Sequence, residues 1–164
     1  MINGKVLHAS HDGIHVLRFV GDIRYTLSPS IDRFVKQLFS GPPPAGFVID
    51  LTETDSIDST NLGLLARIAN LMKNLNGSRV IILSDRTDIN AVLISMAFDE
   101  VFDIVSQASF ACGAEKELAR QDTDKETLTR TVLEAHRALM ELSEHNEEMF
   151  RDVVTALEKN MAAE

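Results

Sequence analysis

The sequence predicts an α/β fold with a mixed sheet: a β-hairpin, then alternating helices and strands, with the helices on one side and a long C-terminal helix at the end. Two β-rich runs near the N-terminus flank a His-Asp-Gly turn, as in an antiparallel hairpin. Short apolar runs then alternate with amphipathic helical patterns up to residue 105. Neither Pro nor Gly occurs from residue 122 to 164, where apolar residues recur at helical spacing.

The chain has 164 residues, of which 45% are hydrophobic, enough for one domain with a core and an appendage. A single cysteine, Cys112, excludes an internal disulfide and is expected to be a small buried thiol. The N-terminus lacks a basic segment followed by an apolar one, and nowhere do 18 apolar residues run together. We therefore expect a soluble, cytoplasmic protein that does not enter a membrane.

The formal charge of −9 is unevenly distributed. Residues 1–110 carry 9 Lys/Arg against 12 Asp/Glu, whereas residues 111–164 carry 7 against 13. This charge disfavours binding to nucleic acid or anionic lipid and favours partners with basic patches. The change in composition predicts an α/β domain over residues 1–106 and a helical C-terminal extension over residues 107–164.

The first elements are predicted from local patterns. VLHAS at 6–10 and IHVLRFVG at 14–21 form the hairpin, with His-Asp-Gly as its turn. A helix is expected to begin at Ser28, which can cap it, because Pro29 suits the first turn. The Gly-Pro-Pro-Pro run ends that helix.

The following elements alternate in type. Unbroken apolar runs at 46–51 and 79–84 predict buried strands, and 101–105 is expected to be the last strand. Amphipathic patterns predict helices over 62–75 and 87–98, the first ended by Asn-Gly. Connections this short favour right-handed crossovers in one layered domain.

Residues 55–65, DSIDSTNLGLL, lie where a strand should meet a helix start, the usual position of function in α/β sheets. Asp58 or Ser59 can cap the helix by accepting from its first N–H groups. Thr60 or Ser59 can instead accept a phosphate, which would lie among Asp55 and Asp58. Repulsion from these acids is expected to disturb docking of a partner more than the fold, so Thr60→Glu or Ser59→Glu should leave thermal unfolding nearly unchanged.

Residues from about 4 to 105 resemble a STAS domain, the fold of bacterial anti-sigma factor antagonists. In that family a buried strand ending in Asp-Leu precedes an Asp-Ser-Ser-Gly-Leu-Gly-type motif that opens a helix. Here Asp50-Leu51 is followed by Asp58-Ser59-Thr60-Asn61-Leu62-Gly63, and SMAFDEVFDIV at 95–105 resembles the closing helix-to-strand segment. Thr60 stands where many relatives carry Ser, and Asn61 replaces the usual Gly.

The resemblance implies a phosphorylation switch with no cofactor and no catalytic activity. Thr60, or alternatively Ser59, would be phosphorylated by a serine/threonine switch kinase and restored by a PP2C-type phosphatase. The unphosphorylated protein would bind an anti-sigma factor or the switch kinase itself, regulating transcription or stress and motility signalling. The residues expected to contact that partner are Asp22, Ser56, Asp58, Ser59, Thr60, Asn61 and Arg67.

Residues 122–164 are expected to form one long helix, with Thr123 and Glu126 as its capping box. Its apolar positions step by three and four residues, the spacing of a heptad seam. The seam comprises Leu128, Val132, Ala135, Leu139, Leu142, Asn146, Met149, Val153, Ala156 and Asn160, and Leu133, Met140, Phe150 and Leu157 widen it. The helix could fold back on the domain, form a homodimer with its copy or dock on a partner.

Four other interpretations concern the histidines, Asp50 and the C-terminal helix. His8, His11 and His15 lack a Cys or acidic cluster at ligand spacing, so surface histidines are favoured over a metal site. His136 alone does not make a phosphotransfer domain, which needs a four-helix bundle. The alternatives to the switch are a receiver-like protein phosphorylated on Asp50, or a scaffold that is never phosphorylated and assembles through its C-terminal helix.

Overall fold

The computed structural model describes residues 3–109 and 113–163. Cys112, predicted to be a buried thiol, lies outside these residues. The strands are β1 Lys5–His11, β2 Ile14–Ile23, β3 Gly46–Asp50, β4 Thr54–Ile57, β5 Val80–Leu83, β6 Phe102–Val105 and β7 Lys116–Glu117. The helices are α1 Ser28–Ser40, α2 Ser59–Asn76, α3 Thr87–Ser95, α4 Phe98–Val101, α5 Lys125–Met140 and α6 Glu144–Ala162, with a 3-10 turn at Tyr25–Leu27.

The predicted hairpin is confirmed. β1 and β2 pair antiparallel from Lys5–Val20 to His11–Ile14. Asp12 and Gly13 both adopt positive φ, 50° and 81°, which a two-residue hairpin turn of this twist requires. The Asp-Gly pair therefore sets the register of the first two strands.

The sheet is mixed, as predicted, and its strands lie in the order β6-β5-β3-β2-β1-β7, with β4 beside β2. β2, β3, β5 and β6 are parallel neighbours, whereas β1 is antiparallel to both β2 and β7. The sequence did not predict β4 and β7, because β4 is short and polar and β7 has only two residues. The strand expected at residues 101–105 is present as β6, but it is not the last strand, because β7 follows it.

Alternate residues of the central strands face the helices and form the core. Leu17, Phe19, Ile49 and Ile82 are fully buried, each at 0% exposure. The helical residues of the same core cluster include Ile31, Val35, Leu62, Leu65, Ile68 and Met72. Most apolar positions of the helical patterns of α1 and α2 therefore lie in the core, whereas Leu75, at the end of the predicted 62–75 pattern, is 46% exposed.

Two local expectations are corrected. Leu27, not Ser28, is the N-cap of α1, and the Ser28 hydroxyl donates to the Tyr25 carbonyl 2.6 Å away. The preceding 3-10 turn already satisfies this end, so the serine is not needed as a cap. The helix predicted over 87–98 ends at Ser95, and Ala97 with φ of 65° separates it from the single turn α4.

The C-terminal extension contains the short strand β7 and two helices rather than the one long helix that was predicted, with the turn at Glu141–Ser143 between α5 and α6. Ser143 caps α6 by accepting from the Asn146 N–H at 3.0 Å. Asp124, not Thr123, caps α5 by accepting from Thr127 N–H at 2.7 Å. No Pro or Gly marks the break, so the helical pattern alone did not show it.

The α5–α6 hairpin, residues 125–162, folds back on α2 and α1. Of the predicted seam, Ala135, Leu139 and Asn146 are fully buried, whereas Met149 and Val153 are 43% and 41% exposed. The seam is therefore correct on α5 and at the start of α6 but turns to the surface beyond it. Ala135 and Leu139 belong to the core cluster of the α/β domain, and the boundary at residue 106 remains a prediction.

No helix within the described ranges combines the length and apolar character that crossing a membrane requires.

Candidate functional site

The candidate site is the junction between β4 and α2. Asp58 is the N-cap, and its Oδ1 accepts from the backbone N–H of Asn61 at 3.0 Å and from the Asn61 side-chain amide at 2.9 Å. The cap satisfies orphan donors at the positive end of the helix dipole. The first turn of α2, which carries both candidate hydroxyls, is therefore held in one conformation.

Asp22 and Ser56 lie next to this helix start, because β2 and β4 pair in parallel with Asp22 opposite Ser56. The backbone N–H of Asp58 continues the contact by donating to the Ile23 carbonyl at 3.1 Å. The Ser56 hydroxyl donates to the Asp22 carboxylate and, with the Arg24 guanidinium, lowers the pKa of Asp22. Asp22 is thus held ionised beside the motif.

Ser59 is half-buried, and its Oγ lies 2.8 Å from Nε2 of His136 on α5. The other ring nitrogen, Nδ1, lies 2.7 Å from the Val132 carbonyl, which can only accept. In the neutral ring Nδ1–H therefore donates to Val132, and Nε2 accepts from the Ser59 hydroxyl. Sequence reasoning did not include His136 in this site, because it lies 77 positions from Ser59.

Thr60 and Asn61 are buried beneath the junction, at 4% and 0% exposure. Asn61 donates its amide to Asp58, and its Oδ1 has no hydrogen-bond partner among the described residues. Neither side chain is presented on the surface in this conformation.

Arg67 lies two turns further along α2 and joins three helices. Its Nη1 donates to Asp32 of α1 at 2.8 Å and reaches Glu134 of α5 at 3.5 Å. The structure therefore brings Asp22, Ser56, Asp58 and Ser59 together at one edge, with Arg67 set apart from them. Their roles in partner binding remain predictions.

The histidines near the N-terminus form a pair, not a cluster. His8 Nε2 and His15 Nδ1 lie 2.9 Å apart with stacked rings, and burial lowers the pKa of both. His11 instead contacts Asp12 at 3.1 Å. Within residues 3–109 and 113–163, no group of three or more His, Cys, Asp or Glu could hold a metal ion.

Asp50, the receiver-like alternative, is at the end of β3. Its Oδ1 accepts from the Thr52 N–H at 2.9 Å and from the Thr52 hydroxyl at 2.7 Å. The antiparallel β1–β2 pair also departs from the doubly wound parallel sheet of receivers. The sheet topology counts against a receiver, whereas the Thr52 bonds are a local turn contact that only orients the Asp50 carboxylate.

Comparisons with known proteins agree with this architecture. A family model described as STAS domain matches residues 6–111, about two thirds of the chain. Among solved structures, an anti-sigma factor antagonist from Mycobacterium paratuberculosis is 20% identical with a TM-score of 0.50, over 64% of this chain and 87% of that one. At this identity the likeness shows the fold alone. No match was found among curated proteins.

Proposed function

This chain belongs to the STAS domain family, and on that premise we propose that it is an anti-sigma factor antagonist whose protein binding is switched by phosphorylation. Its partner would be an anti-sigma factor or a serine/threonine switch kinase, and a PP2C-type phosphatase would reverse the switch. The protein would act by binding in the bacterial cytoplasm, in the control of transcription, and not as an enzyme.

The observation that carries this proposal is the position of the Asp58–Gly63 motif. It opens α2 at a strand-to-helix junction, and its first residue caps that helix. Both hydroxyls of the motif lie in the first turn, directly after Asp58, whose backbone N–H donates to Ile23 beside the ionised Asp22. Hydroxyls close to fixed carboxylates, here Asp22 and Asp58, suit a switch in which an added phosphate changes the local charge.

A phosphate at this junction would add nearly two negative charges beside Asp22, Asp55 and Asp58. The N-terminus of α2 offsets part of that charge, so the helix itself is not expected to unfold. The local potential would nevertheless become strongly negative. We therefore expect phosphorylation to weaken the binding of a partner that packs closely against this junction.

Thr60 remains the first proposed acceptor, because it is the second hydroxyl of the motif, and Ser59 is the alternative. Their environments differ, since Thr60 is 4% exposed whereas Ser59 is half-buried. Phosphorylation of Thr60 requires movement of the structure around it. Phosphorylation of Ser59 requires only that its contact with His136 is lost.

Mass spectrometry after incubation with candidate serine/threonine kinases and ATP tests the proposal. We expect acid-stable phosphate within residues 59–60, lost in Thr60→Ala or, for the alternative acceptor, in Ser59→Ala. Ser40→Ala, at an exposed serine on α1, is the matched control. Acid-labile phosphate on Asp50 would instead identify a receiver, and absence of phosphate with every kinase would contradict the switch.

A second candidate, the unphosphorylated scaffold, has one observation in its favour. Met149 and Val153 are one turn apart on α6 and are 43% and 41% exposed. An apolar pair of this kind suits contact with a second copy of the chain. The oligomeric state in solution decides whether such a homodimer forms.

A further inference from the structure

The face of α2 that carries the motif is covered by α5. Ser59, Gly63 and Arg67 are spaced four residues apart, so they lie on one side of the helix. Ser59 contacts His136 at 2.8 Å, and Arg67 reaches Glu134 at 3.5 Å. Two of these three α2 positions, Ser59 and Arg67, are among those expected to meet a partner.

At Gly63 the backbones of α2 and α5 are in close contact. A Cβ at this position would lie 2.1 Å from the carbonyl oxygen of Ala135, which is backbone and cannot rotate away. Ala135 is itself 0% exposed. The absence of a side chain at Gly63 therefore lets the backbone of α5 pack directly against α2.

α6 packs behind α5 and joins it into one unit. The Phe150 ring lies edge-on to His136, with centroids 5.2 Å apart. The Asn146 amide donates to the Leu139 carbonyl at 3.0 Å and to the Met96 carbonyl at 2.9 Å. The same histidine that holds Ser59 is thus supported from behind by α6.

The interface between α2 and the α5–α6 hairpin includes polar groups, so the hairpin docks less tightly than it would through a wholly apolar interface. Ser59–His136 and Arg67–Glu134 exchange hydrogen bonds with water for bonds with each other, so their net stabilisation is small. Asn146 is fully buried, and its Oδ1 has no partner among the described residues. This buried unpaired oxygen costs free energy, which offsets part of the stabilisation from the two amide hydrogen bonds of Asn146.

A phosphate on Ser59 and the docked hairpin exclude each other. The Ser59 hydroxyl points at His136 Nε2, 2.8 Å from Oγ, so the proton that a phosphoryl group would replace is the one held in this contact, and the contact must break. A kinase must also surround the hydroxyl that it modifies. The same holds for Thr60, which is buried at 4% exposure.

We propose that the α5–α6 hairpin is a removable cover that occupies the partner-binding face of α2, so that partner and kinase reach Ser59 and Thr60 only after it undocks. This inference rests on the proposed function and names its regulation. Undocking and partner binding are then linked, and each favours the other by the same factor.

Thiol labelling in the full chain tests the cover directly. A Cys112→Ser background carries one reporter cysteine, Ser59→Cys, and its reaction with a disulfide reagent is followed in increasing urea. We expect labelling slower than at the exposed Ser40→Cys and faster than at Val80→Cys in the core. Its urea dependence should be smaller than that of global unfolding, as for a local opening.

Gly63→Ala should accelerate labelling at Ser59→Cys at least tenfold, because the added methyl group displaces α5. Gly41→Ala is the matched control, since its Cβ would meet nothing closer than 3.8 Å. Phe150→Ala is a second opening variant, which loosens the hairpin from the far side and serves if Gly63→Ala does not fold.

Three outcomes would contradict the proposal that the α5–α6 hairpin is a removable cover. Ser59→Cys could react as fast as Ser40→Cys, could follow the urea dependence of Val80→Cys, or could be unaffected by both opening variants. Neither a kinase nor a partner is needed for this measurement. A chain that is never phosphorylated can therefore still show a removable cover, and the two proposals fail separately.

Discussion

Ser59 and Thr60 are adjacent in sequence but differ in environment. Ser59 points toward the α2–α5 interface and hydrogen-bonds His136, whereas Thr60 is 4% exposed in the first turn of α2. The sequence marks both as hydroxyls at a helix start and does not separate them. Their difference comes from the helix that packs on them.

Burial of Thr60 changes the expectation that an acidic residue there would leave thermal unfolding unchanged. Thr60→Glu would bury an unpaired carboxylate, which costs about 3 kcal/mol and lowers Tm by roughly 6–12 °C. Ser59→Glu should cost about 1 kcal/mol, since it loses mainly one hydrogen bond. Circular dichroism melts measure both, with exposed Ser40→Glu as control, and equal Tm values for the two variants would contradict this.

The His8–His15 pair should make stability depend on pH. Burial, and for His8 the charge of His15, lowers the pKa of both rings below the ordinary value of about 6.5. The unfolded chain therefore binds more protons, so the stability is complete above pH ~6.5 and decreases as the pH falls below it.

Urea titrations at several pH values check this dependence. His15→Gln should show a smaller decrease of the unfolding free energy between pH ~7.5 and ~5. His145→Gln, on the exposed side of α6, is the matched control and should follow the wild type. An unchanged pH dependence in His15→Gln would rule the pair out as its source.

At the scale of elements, capping residues and turn signals locate most helix starts and ends. The Asp12-Gly13 turn, the C-cap Gly77 with φ of 75° and the cap Asp58 all have the positions that their residue types predict. Ser28 does not, because a 3-10 turn precedes it. Thr123 does not either, because the adjacent Asp124 caps α5, so a local signal locates a helix start only to within a residue where two capping residues are neighbours.

Asp58→Ala should remove the cap of α2 and leave the buried Asn61 amide without its acceptor. The cap is worth about 1 kcal/mol and the stranded amide about 1–3 kcal/mol, so Tm should fall by several degrees. Asp58→Asn keeps an acceptor and should retain most of the stability. Thermal melts of both variants would refute a capping role if Asp58→Asn were as unstable as Asp58→Ala.

At the scale of the whole molecule, the α/β domain and the extension share one core. Ala135, Leu139 and Phe150 join the cluster formed by the sheet, α1 and α2. The acidic extension thus takes part in the tertiary structure and covers the surface on which the domain was expected to act.

The scaffold candidate predicts a homodimer through the exposed part of α6. Met149→Glu with Val153→Glu should convert it to a folded monomer, because both side chains are exposed in the single chain. Light scattering coupled to size-exclusion chromatography measures the mass, and Leu75→Glu, exposed on α2, is the control. A wild-type monomer at all concentrations would eliminate this candidate.

The sequence by itself determined the hairpin, the mixed α/β order, the first core helices and the motif at the start of α2, because these depend on periodicity and turn chemistry within a few residues. Only the tertiary structure decided the β4 and β7 pairings, the break between α5 and α6, and the burial of Thr60. The contact between Ser59 and His136 joins residues 77 positions apart. Such contacts depend on which apolar faces cover each other, and several arrangements of the same helices satisfy the local pattern equally well.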